Sequence, residues 1–222
     1  MTGKQKSFKK LEELCPNLLT FSCPCHSAAL AACTACKMIP DYCDDFIKGI
    51  AKYVNSSPKR TGIFREFCLN FENKYIKLKK ICEIRWLSHY QCVDRLLESW
   101  HTIELFLVEQ IFSEKSKTGK ELLAIMDKVD AKAYFLFFKY ILHEFNAFNA
   151  FFQAVETRIH VLQSKSIQFL FKICKNFLID ELMKSFTENL MNIIFSEKEN
   201  HKVFDEITFG LDCDEYLTEI TM

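Results

Sequence analysis

Thiols and an imidazole crowd one short stretch of this chain. "FSCPCHSAALAACTACK", Phe21 to Lys37, holds four cysteines and a histidine. Such groups can hold zinc, shuttle electrons or attack a carbonyl. Zinc takes four tetrahedral N/S ligands, usually brought by two short-spaced pairs on turns. Cys23, His26, Cys33 and Cys36 supply enough donors, but Cys33 and Cys36 lie in an alanine-rich run of helical character, one turn apart. A redox thiolate sits typically at the first cysteine of a CxxC at a helix N-terminus, whereas Cys33-Thr-Ala-Cys36 reads as mid-helix. A Cys–His nucleophile needs a third group to orient the base, and nothing near Cys23 and His26 marks one. The "TGK" at Thr118 has no upstream glycine and is not a phosphate loop, and neither an HExxH nor a nucleophile elbow occurs.

The elements around these residues read as helices. Of 222 residues only five are glycine and four proline, with no proline after Pro58, which favours long helices because proline breaks them. Twenty-two phenylalanines provide large apolar faces. The amino-terminal end differs. "SFKKLEEL" reads as a short amphipathic helix, Leu18 to Cys23 as a buried strand, and "HSAALAACTACKMI" as a helix stopping at Pro40. Helix, strand, helix suggests a piece of an α/β unit. Beyond Pro40 come a helix opening on acidic residues at "DYCDDFIKGIAKYV", and one with Ser57 as N-cap and Pro58 at its first position. Three long stripes follow at three- and four-residue spacing. One runs from Tyr90 to Ile111, one from Phe135 to Leu162, and one from Ile167 to Ile193, with "SEKSKTGK" as a polar break after the first. From about Ser196 the periodicity is lost and acidic residues dominate, which predicts a loop or tail with at most a short ordered stretch at "FDEITFG".

Formal net charge is zero, so no global field attracts a polyanion and any nucleic-acid contact must come from a local patch. "KYIKLKKICEIR", Lys74 to Arg85, is one such patch. The odd count of eleven cysteines, scattered through helical segments, fits reduced thiols in a reducing compartment. No continuous apolar run of membrane-spanning length and no signal peptide is visible, so no membrane partner is expected.

Taken together, "CPCHSAALAA" after a short strand, then "SSPKR", then "RWLSHYQCVDRLLESW" resemble the middle of a hAT-superfamily transposase or a gene derived from one. The family's CxxH motif falls on Cys23 and His26, and its Arg-Trp pair on Arg85 and Trp86. "MTGK" at the start is also similar to the stretch after the family's second catalytic aspartate. The resemblance covers roughly residues 1 to 195.

It implies a fragment of an RNase H-like α/β unit over residues 1–39, an all-helical insertion-type bundle over 40–195, and an acidic tail over 196–222; the fold class is mainly α. In the family, two aspartates and a glutamate hold paired Mg²⁺ for phosphoryl transfer. The motif order would put both aspartates before Met1, and the glutamate has no match in this sequence. The resemblance therefore implies a catalytically inactive, nuclear, domesticated protein with no catalytic residue and no cofactor. Such a protein would be a DNA- or protein-interaction module, with self-association through broken-sheet and phenylalanine-rich surfaces. Cys23 and His26 would be structural, Trp86 would stack on a base, and Arg85, Lys77, Lys79 and Lys80 would meet phosphates. Two alternatives stay open. One is a self-contained helical scaffold stapled by zinc at Cys23, His26, Cys33 and Cys36, and the other is enzyme activity restored by a companion chain.

Overall fold

The computed structural model describes residues 10–11, 13–15, 17, 23–72, 74–75, 77–79 and 86–221, the side chains of Cys36 and of residues 86–89 excepted. The protein is mainly helical. Among the described residues the one β feature is an isolated antiparallel bridge between Leu178 and His201. Lys10, Leu11, Glu13 and Leu14 are helical, as expected of "SFKKLEEL". The strand expected at Leu18 to Cys23 lies outside the described residues except for Cys23, the residue that caps the next helix.

Helix α1 (Pro24–Cys36) starts on a proline, whose missing N–H leaves no donor orphaned there. Its buried residues, Ala28 and Ala32, are four apart and small, so its backbone comes close to its neighbours. Helix α2 (Asp41–Asn55) carries Asp41 and Asp44 in its first turn and Lys52 in its last, complementing the helix dipole. Its stripe of Cys43, Phe46, Ile47, Ile50 and Val54 is buried. Helix α3 (Pro58–Glu72) follows, and the Ser57 hydroxyl accepts the Arg60 N–H at 3.4 Å, as the N-cap reading requires.

The stripe from Tyr90 to Ile111 belongs to two helices, α4 (Trp86–Glu98) and α5 (Trp100–Glu114), not to one. The cause is Glu72 at the end of α3. Its carboxylate accepts from Thr102 Oγ1 at 2.6 Å and Ser99 Oγ at 3.4 Å, both side chains being fully buried. The chain bends at Ser99, with φ −104° and ψ 17°. The expected polar break is also shorter than its sequence suggests. Lys115 ends α5 in the left-handed conformation (φ 49°), and helix α6 (Lys117–Met126) begins at once, with Ser116 Oγ accepting the Gly119 N–H at 3.0 Å.

Helix α7 (Ala131–Phe152) is the central element, packed against α1, α4 and the segments that follow it. Its stripe was expected to run on to Leu162, but the helix stops at Phe152. Arg158 folds back to donate Nη1 to the Phe151 carbonyl at 3.0 Å and lays its guanidinium 4.4 Å over the Phe151 ring. Val155 and Ile159 are consequently exposed. After a short 3₁₀ turn (Ile159–Val161), helix α8 (Leu162–Cys174) packs Phe169 against Phe148 and Phe145, ring centroids 4.6 and 4.9 Å apart. The third expected long helix ends here. Asn176 donates Nδ2 to Tyr140 Oη at 2.9 Å and to the Lys172 carbonyl at 3.0 Å, and the short helices α9 (Asp180–Lys184) and α10 (Phe186–Asn189) follow.

The acidic end is not simply a tail. Phe204–Glu206 form one 3₁₀ turn, and helix α11 (Leu211–Thr221) docks on α7 through buried Cys213. Asp214 accepts the Phe209 N–H at 3.0 Å and so ties the preceding residues to a helix whose acidic first turn suits its dipole. Helices α2 to α7 share one core, and Leu178, Phe186 and Ile193 form a small second one. No described helix is long and apolar enough to cross a membrane.

Candidate nucleic-acid interface

After α3, residues 77–79 cross the surface of the core as extended backbone, and the sequence explains their shape. Lys77, Leu78 and Lys79 alternate exposed, buried, exposed, the period of extended backbone. Leu78 enters the main core. Each of the three carbonyls accepts a side-chain hydrogen bond. Arg95 Nη1 donates to Lys77 O at 2.8 Å, Asn55 Nδ2 to Leu78 O at 3.1 Å, and the Cys92 thiol to Lys79 O at 3.4 Å. Burial raises the Cys92 thiol, with Lys79 and Arg95 acting in the opposite direction. The two lysines are thereby held outward on a backbone tied to α2 and α4, and Lys79 Nζ also donates to Gln91 Oε1.

These lysines line an open cleft of about 1000 Å³. Its far wall is one face of α3, formed by Pro58, Thr61, Gly62 and Arg65, which recur at helical spacing. Arg95 comes from α4, and Tyr75 stands on the connecting segment with the Arg65 guanidinium 5.8 Å from its ring centre. Among the described residues lining the cleft, four are cationic (Arg65, Lys77, Lys79, Arg95) and none is acidic. Two smaller hollows, of about 290 and 160 Å³, both contain Glu144 in their walls. A cleft of one charge sign focuses field and collects counter-ions even on a chain with no net charge.

Of the expected contact residues, Lys77 and Lys79 come together here. Lys80 and Arg85 lie outside the described residues, and Trp86 is placed only as the first residue of α4. Sequence reasoning missed Arg65, Arg95 and Tyr75. The first two sit inside helices whose apolar stripes drew attention, and the signal for Arg65 was the polar or small face at 58, 61, 62 and 65.

The cysteine cluster is laid out along α1. Cys23 is its N-cap and exposed, His26 is exposed, and Cys33 is half-buried. A helix rises 1.5 Å per residue, so the backbone at Cys23 and Cys33 is roughly 15 Å apart. One straight helix therefore does not bring Cys23, His26, Cys33 and Cys36 to a single ion, and among the described residues no three His, Cys, Asp or Glu side chains gather as a metal site. Nor are Cys23 and His26 a packed thiol and a core histidine, since both face outward. Cys25 is also half-buried, donating Sγ–H to the Asn149 carbonyl of α7 at 3.7 Å, with its thiol raised by burial and by Cys23 beside it.

No protein-family model matches the chain, and no solved structure matches it.

Proposed function

We propose that the chain is a catalytically inactive, hAT-transposase-derived protein that acts in the nucleus as an interaction module, with the cleft between α3 and α4 as its polyanion-binding surface. One observation carries this reading: four cations and no carboxylate among the described residues that line an open cleft. Two of them flank Leu78 in the stretch 77–79, where each of the three carbonyls accepts a side-chain hydrogen bond, so little backbone ordering entropy is lost when phosphates arrive. Motif order supports the origin. Cys23 and His26, then Ser57 to Arg60, then Arg85 and Trp86 occur in the family's sequence, and a helical bundle after residue 40 agrees with an inserted helical region. On this reading residues 1–39 are the remnant of an RNase H-like unit. On this proposal the module binds duplex DNA without cutting or joining it.

The test is fluorescence anisotropy of a labelled duplex across a salt series. Each phosphate neutralised contributes about 0.9 to the slope of log K against log salt. Reversing Lys77 and Lys79 to Glu should lower affinity and flatten that slope by about two contacts. Trp86→Ala should weaken binding by roughly 1–3 kcal/mol if a base stacks there. Equal affinity and slope for all three proteins overturns the reading. One tightly held zinc, with melting on chelation, would install the zinc-stapled scaffold instead.

A further inference from the structure

Ser57 stands directly before Pro58 and three residues before Arg60. Proline-directed kinases take serine or threonine followed by proline, because their next subsite demands no backbone N–H, which proline lacks; a basic residue three positions on adds a charge contact. The four prolines of this chain follow Cys15, Cys23, Ile39 and Ser57, so Ser57 is the one acceptor such a kinase would find. We propose that Ser57 is a phosphorylation site for a proline-directed, ATP-using kinase, and that the phosphate closes the basic cleft to polyanions. The second half rests on the reading of the cleft given above.

The position favours both halves. Ser57 is half-buried between exposed Ser56 and exposed Pro58 and Lys59, in the link between α2 and α3. Among the described residues its hydroxyl takes the long contact from the Arg60 N–H, at 3.4 Å. The first turn of a helix lacks internal acceptor partners for its N–H groups, so it opens more readily than the interior. In the transfer, Ser57 Oγ attacks the γ-phosphorus of ATP. The Oγ–P bond forms, the bond from phosphorus to the β,γ-bridging oxygen breaks, ADP leaves, and the hydroxyl proton passes to the kinase's base.

The product suits its place. A phosphoserine carries about −1.5 to −2 charges and three acceptor oxygens, and an anion at a helix N-terminus meets the positive end of the dipole. Cations stand ready in the same turn. Arg60 is fixed by donating Nη1 to the Tyr53 carbonyl at 2.8 Å, its guanidinium 4.3 Å over the Tyr53 ring. Lys59 contacts Glu114 at 2.8 Å across an exposed pair, which a phosphate can draw away. Phosphorylation thus keeps the cap of α3. Pro58, the next residue, lines the cleft, so the new charge lies at its rim and offsets up to half of the four cations.

The experiment treats the full chain with a purified proline-directed kinase and ATP, reads phosphate by intact and fragment mass, and repeats the duplex titration. The controls are Ser56→Ala and Ser57→Asn, the latter keeping an N-capping side chain without a phosphate acceptor. The expected result is one phosphate on wild type and on Ser56→Ala and none on Ser57→Asn. Duplex affinity of the modified protein should fall about tenfold at low salt, converging with the unmodified protein as salt rises. The proposal is overturned if the folded chain stays unmodified while the urea-unfolded chain is modified. It is equally overturned if the phosphorylated protein binds as the unmodified one does. Should the unmodified chain bind no duplex at low salt, the cleft's function and its closing fail together, and the mass of Ser57 alone decides the modification.

Discussion

Among the described residues five phenylalanines, Phe46, Phe64, Phe106, Phe135 and Phe186, are fully buried; four lie in the core shared by α2 to α7, and Phe186 anchors the cluster after α8. In the first region rings meet rings from several helices. Phe106 touches Tyr53, Phe64 and Phe67, with centroids 5.3 to 6.3 Å apart. In the second, Met191, Ile194, Phe195, Val203 and Phe204 remain exposed beside a core of three buried residues. Both regions use the same apolar residue types at similar spacing. What separates them is whether another element offers a face, which is a property of the whole fold and not of the stripe.

The largest expected effect follows from that difference. Phe106→Ala should cost about 3–5 kcal/mol, the usual range for emptying a buried phenylalanine site, and should lower protection from hydrogen exchange throughout α2 to α7. Phe186→Ala removes as large a side chain, but its loss should appear as local opening of residues 174–204 while the main core keeps its protection. If both variants lose protection everywhere alike, the two regions are one cooperative unit and the comparison fails.

Next is the attachment of α11. Gly210 has φ +100°, and a Cβ there would stand 2.5 Å from the Tyr140 ring. Gly210→Ala should cost on the order of 1–3 kcal/mol through strain and raise exchange in α11 more than in α5. Unchanged exchange in α11 would mean that Tyr140 gives way, and that this helix is held by Cys213 instead.

These boundaries were hard to read in the sequence for a definable reason. Periodicity located the faces of α5 and α7, the acidic first turn marked α2, and Ser57 and Pro58 marked the start of α3, because those signals are local. The end of α4 depends on a distant group, and that of α7 on a chain reversal that periodicity does not register. Glu72 captures Ser99 and Thr102 some thirty residues away, and Arg158 returns to Phe151. Likewise Lys77 and Lys79 were legible as a basic run, whereas their joining with Arg65 and Arg95 needed three helices to be in place. Helix α11 was missed because its acidic residues read as solvated tail, although they are spaced to leave Cys213 on the inner face.

A smaller effect of opposite sign is expected within the well-packed region. Gln110 is fully buried in the main body, and neither its Oε1 nor its Nε2 has a partner among the described residues. Leaving such a group unsatisfied costs about 1–3 kcal/mol. Gln110→Met, similar in shape and apolar, should therefore raise stability by about 1 kcal/mol in a denaturant melt. A destabilised Gln110→Met would mean that the amide is satisfied in solution by water, and that the first region is less dry than its packing suggests.

The finest test uses thiols as reporters of the two regions. Burial, with Asp130 nearby, pushes Cys43 in the main core up to about 12. Burial, with Asp214 beside it, pushes Cys213 on α11 up to about 11. An unfolded thiol titrates near about 8.5. Below that value both states hold the proton and nothing is lost. Above it the unfolded chain releases protons that the folded chain keeps, so stability falls as pH rises from about 8.5 toward the folded values. Since only thiolate reacts with an alkylating agent, each buried cysteine is labelled at the rate at which its own region opens. Exposed Cys23 should react first, Cys213 next as α11 detaches, and Cys43 last and with the steepest dependence on denaturant. Equal rates and equal denaturant slopes for Cys213 and Cys43 would erase the boundary between the regions, because α11 could then leave only when the core does.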